Sequence, residues 1–341
     1  MDVITVGEAL VDWVSTEVGR DLNGACTFVK APGGAPANVA VGLARLGVRA
    51  GFVGAFAPDA FGVWLRSILA DAGVNLSLSP LVAATQTRMA FVTTAMDGDR
   101  DMAAFLSLQC ADANLSLDAL DVESILAAPV LHFGSVGLAA APSRDTTLWL
   151  ARAAGERGRL VSFDVNWRAL IWTARRDALA VLHQALDLAH VVKLNLDEFS
   201  LLYGTREPSR GVSALWSDER RLVVVTLGAA GAWYRGCCEK LHAQAEPCQG
   251  PLDEGRVEAP AVKAVDATGA GDAFMACLLA AMVDAERGAE RMPLREAVRR
   301  AAAAGALATT RVGAMSALPD RATLDRFCAG GEGYTALNDV V

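Results

Sequence analysis

Residues Asp266-Ala267-Thr268-Gly269-Ala270-Gly271-Asp272 set two acidic residues around a pair of glycines, and the apolar run Ala273 to Leu279 follows at once. This is the composition of an anion cradle at the start of a helix. Glycine tolerates the angles that turn several amides toward one oxyanion, and a helix N-terminus adds partial positive charge. Gly269, Ala270 and Gly271 supply those amides, and Asp272 in the first turn faces whatever they hold. A capped loop before a core helix has the same composition, so the stretch alone does not separate the two readings.

Five further groups have chemistry to offer. Asp12 interrupts Leu10-Val11-Asp12-Trp13-Val14, either as the outward residue of a half-buried strand or as a group aimed at a polar ligand. In Gly33-Gly34-Ala35-Pro36-Ala37-Asn38 a glycine pair admits close approach to the backbone, proline suits a first helical turn, and Asn38 offers a donor and an acceptor one turn in. Asp164, Asn166 and Arg168 follow a predicted strand, with Arg168 free to meet a sugar hydroxyl, a carboxylate or simply Asp164. Lys193-Leu194-Asn195-Leu196-Asp197-Glu198 follows another; Asn195 and Glu198 read either as a helix capping box or as oxygens that hold Mg²⁺ through water. Thr226 to Gly231, with Gly228, is a tight hairpin or a wall for a nucleotide.

The elements that must carry these groups alternate. Strands are expected at Val3 to Gly7, with Glu8 to Ser15 continuing the first in a more polar style, and at Ala50 to Ala55, Val130 to Phe133, Leu160 to Val165, Val191 to Leu194 and Leu222 to Leu227. Helical stretches such as Ala60 to Asp71, Thr146 to Glu156 and Arg176 to Ala189 lie between them. The pattern predicts an α/β protein with a mostly parallel sheet covered on both faces. Thr87 to Ala95 and Arg100 to Ser107 read as a hairpin around Gly98, which with the segments near Val11 and Phe28 makes a small β-sheet lid. Gly236 to Pro260 reads as an irregular or hairpin insertion.

Composition excludes several functions. The chain has 341 residues, 53% of them hydrophobic, enough for a sizeable core. A net charge of -8 with only four lysines (Lys30, Lys193, Lys240, Lys263) argues against nucleic acid as a partner. The longest apolar run, Ala273 to Val283, is too short to span a membrane, and Met1-Asp2-Val3-Ile4 lacks the basic region of a signal peptide. Seven cysteines without C-x-x-C spacing suggest reduced thiols and a cytoplasmic protein; Cys237, Cys238 and Cys248 share one polar stretch. No lysine follows a glycine as in a Walker A loop, no G-x-S-x-G is present, and His132, His183, His190 and His242 lack metal-ligand spacing.

Together, Val6-Gly7-Glu8, the Gly33 to Asn38 motif, Lys193-Leu194-Asn195-x-x-Glu198 and Asp266-x-Thr268-Gly269-Ala270-Gly271-Asp272 resemble the ribokinase-like, or PfkB, carbohydrate kinases, in the family's order and over nearly the whole chain. Within the family, the Gly7 to Asp12 segment, Gly33 to Leu46 and Asp164-x-Asn166-x-Arg168 look most like fructokinases, with 2-keto-3-deoxygluconate kinases close behind.

The resemblance implies one kinase domain over 1–341, a lid from segments about 8–31 and 86–108, and transfer of the ATP γ-phosphate to a sugar, fructose first, giving fructose 6-phosphate. Kinases for 2-keto-3-deoxygluconate or a nucleoside, and a catalytically silent binding module, are the alternatives. It further implies Asp272 as general base, kept ionised by the helix N-terminus, and Gly269, Ala270 and Gly271 as the anion hole. Asp12, Gly34, Asn38 and Arg168 bind the sugar. Lys193, Asn195, Thr226, Gly228 and Gly231 bind the nucleotide, while Asn195 and Glu198 order Mg²⁺ through water. Asp266, Thr268 and the Gly313-Ala314 turn match the region where relatives hold K⁺, and relatives often form homodimers through lids, where Met89, Phe91, Ala103 and Phe105 either form such an interface or pack on the sheet beneath. Gln109 stands where fructokinases commonly carry an arginine, leaving Arg168 and Arg88 as cations for an acid sugar.

Overall fold

The protein is described by a computed structural model over residues 1–94, 100–106, 109–172, 175–236, 251–290 and 292–330. The strands are β1 (Val3–Val6), β2 (Leu10–Ser15), β3 (Phe28–Gly33), β4 (Ala50–Val53), β5 (Met89–Thr94), β6 (Arg100–Leu106), β7 (Val130–Gly134), β8 (Leu160–Asp164), β9 (Val191–Asn195), β10 (Leu222–Thr226), β11 (Ala232–Gly236) and β12 (Asp253–Val257). Eight form one sheet in the order β12-β11-β10-β9-β8-β7-β1-β4. Its pairs from β4 through β10 are parallel, and β11 and β12 add an antiparallel edge. The second half of the expected Gly236 to Pro260 insertion is thus a strand of this edge; its cysteines lie outside the described residues, as does the Gly98 turn.

Both faces of the large sheet are dry. Adjacent residues Val3 and Ile4, Leu160 and Val161, Val191 and Val192, and Leu222 and Val223 point to opposite sides, because strand side chains alternate. One side packs against helices Ala35–Arg45, Ala270–Glu286 and Leu294–Ala308 through Leu43, Met275 and Ala301. The other packs against Ser143–Glu156, Arg175–Leu188 and Leu196–Tyr203 through Leu150, Leu182 and Phe199. That double cover is why these strands are continuous apolar runs, and it leaves the carboxyl ends of the parallel strands as the place for polar chemistry.

The remaining strands form a second sheet in the order β3-β2-β5-β6. Here one expectation fails. Residues 8–15 do not continue β1: the chain turns at Gly7, which has φ of 151°, and Leu10–Ser15 pairs with β3 and β5. The apolar Leu10, Val11, Trp13 and Val14 hide the change of sheet, which only the glycine and the more polar style of residues 8–15 mark. The Met89–Thr94 and Arg100–Leu106 hairpin forms as expected, antiparallel. Trp13 and Met89 pack against the core beneath, while Val29 stands 57% exposed. No helix among the described residues is long and apolar enough to cross a membrane.

Candidate active site

The helix Ala270–Glu286 starts from Gly269, whose φ of 80° is left-handed and whose missing side chain leaves room for the Ala314 Cα, 2.9 Å from where a Cβ would lie. This places residues 269–271 at the helix N-terminus, as the composition predicts, with the Ala270 amide donating to the Ala267 carbonyl at 3.3 Å. Asp272 in the first turn is buried, and Asn38 Nδ2 donates to its Oδ2 at 2.7 Å. The helix N-terminus alone would favour a low pKa. Burial instead pushes Asp272 up to about 6, aided by the charge of Asp164 and opposed by the Asn38 hydrogen bond, Lys193 and Arg168. The group remains mostly ionised at neutral pH but is a stronger base than the dipole alone would leave.

Lys193 and Asp164 form a buried ion pair with Nζ 2.7 and 2.8 Å from the two carboxylate oxygens. They face each other directly across β8 and β9. Burial pulls the Lys193 ammonium down, but Asp164, Glu198 and Asp272 together hold it above its ordinary value. The ammonium lies 3.1 Å from the position a Cβ on Gly271 would occupy, so it abuts the amide cradle. Asp164 is therefore not the partner of Arg168. Arg168 is half-buried, donates from Nη1 to the Trp167 carbonyl at 3.0 Å and lends its charge to Asp272.

Asn195 and Glu198 form the capping box in full. The Asn195 side chain accepts from the Glu198 amide at 2.8 Å and Glu198 Oε2 from the Asn195 amide at 2.7 Å. Glu198 Oε1 accepts from the Trp167 amide at 2.7 Å. Both oxygens thus carry a backbone donor, and burial with the Asp164 charge raises the Glu198 pKa despite Lys193. No cluster of three or more His, Cys, Asp or Glu able to hold a metal occurs among the described residues. The donor set suits a hydrated Mg²⁺ held mainly by phosphates, and does not suit direct carboxylate ligation.

On the other side, Asp12 on β2 packs against Gly33, where a Cβ would come within 2.9 Å of the Asp12 carboxylate carbon. Gly34, at φ 103°, is crowded by the Glu8 and Ala9 backbone, so its glycine serves chain packing as well as any ligand. Asn38 Oδ1 is buried without a partner among the described residues, so it can accept one more hydrogen bond. Thr226, at the end of β10, is the direct neighbour of Asn195 on β9. Gly228 has φ of 61° with open space where a Cβ would point, whereas Gly231, at φ 93°, is packed tightly on the Val257–Ala259 backbone. The two glycines of this turn therefore differ: only Gly228 borders free space.

Asp266 fastens the loop before the cradle. Its Oδ1 accepts from the Thr268 amide and hydroxyl at 3.0 and 2.7 Å, and Oδ2 accepts from the Gly313 amide at 2.6 Å. Arg88, offered as a cation for an acid sugar, is instead buried against Asp112 at 2.6 Å. Among the residues with roles here, Asp164 was a motif member without a role; its pairing depends on strand register, which the sequence does not display.

A buried acid at an amide cradle, with an ammonium beside it at the carboxyl ends of parallel strands, defines an α/β phosphotransferase architecture. Residues 1–321 match the pfkB family carbohydrate kinase model, and the chain belongs to that family. It is 36% identical over 335 residues to probable fructokinase-4 of Arabidopsis thaliana, covering 96% of this chain and 97% of that one. Among solved structures it is similar to fructokinase from Xylella fastidiosa with bound ATP, with a TM-score of 0.82, 29% identity, and coverage of 96% of this chain and 98% of that one. Fructokinase from Vibrio cholerae O395 in a fructose, ADP and calcium ion bound form has a TM-score of 0.77 and 33% identity, with coverage of 96% and 99%.

Proposed function

We propose that this protein is an ATP-dependent fructokinase that forms fructose 6-phosphate. The observation that carries the chemistry is Asp272, a buried carboxylate in the first turn of a helix whose amides and neighbouring Lys193 concentrate positive charge at one point. Similarity to fructokinases over nearly the whole chain, one with ATP and one with fructose and ADP, supports the substrates.

In this reading the sugar 6-hydroxyl attacks the γ-phosphorus while its proton passes to Asp272. Asn38 occupies Oδ2, leaving Oδ1 to accept that proton. The new O–P bond forms as the bond to the β-phosphate oxygen breaks, and ADP leaves with the negative charge. The Gly269, Ala270 and Gly271 amides and the Lys193 ammonium stabilise the transferring phosphoryl group. Asn38 Oδ1 accepts from one sugar hydroxyl; Asp12 and Arg168 meet others, against a backbone kept close by Gly34. Thr226 and Gly228 line the nucleotide, with Gly231 shaping their turn. Mg²⁺, when bound, neutralises phosphate charge, and Asn195 and Glu198 would orient its waters. Asp266, Thr268 and the Gly313 turn would hold K⁺ beside the cradle. The small sheet acts as the lid, its segments near 8–31 and 86–108, and its exposed face is where a second copy would dock. The thiols of Cys26, Cys277 and Cys328 suit a cytoplasmic enzyme.

Engagement of Arg88 with Asp112 leaves an acid sugar one cation fewer, which favours neutral fructose over 2-keto-3-deoxygluconate. A coupled ADP-release assay with Mg-ATP against fructose, 2-keto-3-deoxygluconate, ribose and adenosine, run with K⁺ and with Na⁺, tests the reading. Fructose is expected to give the highest kcat/KM, with faster turnover in K⁺. No turnover with any of the four would leave the silent binding module in its place.

A further inference from the structure

Three charged side chains outside the machinery above lie within electrostatic reach of one another where the chain crosses between the two sheets. Glu8, 2% exposed, lies on the crossover from β1 to β2, and its Oε1 accepts from the Ala35 amide at 3.0 Å. Ala35 opens the helix that presents Asn38. Arg88, 5% exposed, immediately precedes β5; its Nε donates to Asp112 Oδ2 at 2.6 Å, and its carbonyl accepts from the Val11 amide at 3.0 Å, one residue from Asp12. Asp112, 4% exposed, follows β6 in a short 3₁₀ turn.

Two carboxyls and one guanidinium, all buried, leave an excess negative charge shielded from bulk solvent, which is costly. Glu8 Oε2 and Asp112 Oδ1 are also both buried acceptors with no partner among the described residues. A single proton answers both problems: it cancels the excess charge and turns one orphan acceptor into a donor.

We propose that Glu8 is a positioning residue for the sugar site: as a neutral acid held with Arg88 and Asp112, it clasps the small sheet to the first turn of the Asn38 helix and so sets the spacing of Asp12 and Asn38. The electrostatics agree. Burial, with the Asp112 charge, pushes Glu8 up to about 8, against hydrogen bonds from its own backbone and Ala35 and the charge of Arg88. The other titratable group of the cluster, Cys110, stays a neutral thiol, pushed by burial to about 11.

The role rests on the fructokinase reading, but the proton does not. Glu8→Gln, a neutral mimic, is expected to keep the fructose KM and kcat at pH 7 within about twofold. Glu8→Ala is expected to raise the fructose KM at least tenfold while kcat changes less. Wild-type fructose KM is expected to rise as pH passes 8, and Glu8→Gln to remove that rise. Melting of the free protein reads the proton without any sugar. A carboxyl raised in the folded state costs stability as pH climbs from its unfolded value to its folded one, so the wild type is expected to lose at least about 2 °C between pH 6.5 and 8.5, and Glu8→Gln to lose none of it. If Glu8→Gln weakens fructose at pH 7 as Glu8→Ala does, or melts with the wild-type pH dependence, the neutral clasp is wrong. An unchanged KM in a folded Glu8→Ala overturns the positioning role. Should no sugar turn over, the melting comparison still decides the proton.

Discussion

In the role of base proposed for it, Asp272 carries two opposing requirements. To take a proton it must be ionised, yet burial makes the charge costly, and the compromise is a pKa of about 6. Two consequences follow in opposite directions. Activity needs the ionised form, so kcat/KM is expected to fall about tenfold for each pH unit below 6. Stability favours the protonated form: it declines as pH rises from 3.8 to about 6, and at pH 7 the ionised group costs on the order of 3 kcal/mol. Asp272→Asn is therefore expected to lose 10²-fold or more in turnover while melting higher than the wild type at pH 7. Turnover within tenfold of wild type would remove Asp272 from the role of base.

Lys193 makes a sharper case. Lys193→Met leaves Asp164 as an unpaired buried charge and is expected to cost about 3–5 kcal/mol in urea unfolding. Adding Asp164→Asn is expected to restore most of that stability without restoring turnover, because the ammonium beside Gly271 stays absent. Equal recovery of both would make the pair purely structural. At this scale, residue type and spacing disclosed an acid in the first turn of a helix that starts at a glycine, but not that Asn38 donates to it. They did not disclose that Asp164 belongs to Lys193, nor that the Asn195 and Glu198 box is fully occupied by backbone donors.

Elements were more legible, and for a physical reason. Strands covered on both faces must be apolar throughout, so β4, β7, β8, β9 and β10 announced themselves within a residue or two. Their pairing order is a tertiary matter, settled by how helices pack across the sheet, and nothing local records it. The Gly7 turn shows the limit: apolar residues within 3–6 and again at 9–11 concealed a change of sheet. Element geometry also sets what Gly269 can become. A methyl group there meets the Ala314 backbone and must adopt a left-handed conformation. Gly269→Ala is expected to displace the cradle, lowering kcat by more than tenfold with a smaller change in fructose KM. Wild-type kcat in that variant would show that the cradle geometry is not what limits transfer.

For the whole molecule, the small sheet and the large mostly parallel sheet were foreseeable from their different strand patterns, but their junction was not. Glu8, Arg88 and Asp112 come from three separated stretches, and only the folded chain makes them neighbours. The Asp266 fastening has a similar long reach. Hydrogen bonds from Val265 and Asp266 to Thr309, and from Gly313 to Asp266, close a loop of chain on itself. Everything between, the helices Ala270–Glu286 and Leu294–Ala308, leaves the site and returns to it. The far bend of that excursion, at Gly288, has nothing within 4 Å of where a side chain would start. It is thus a natural port for grafting: a short Gly-Ser peptide or an affinity tag inserted after Gly288 is expected to leave turnover and melting within experimental scatter of wild type, since both ends of the excursion stay stitched whatever its tip carries.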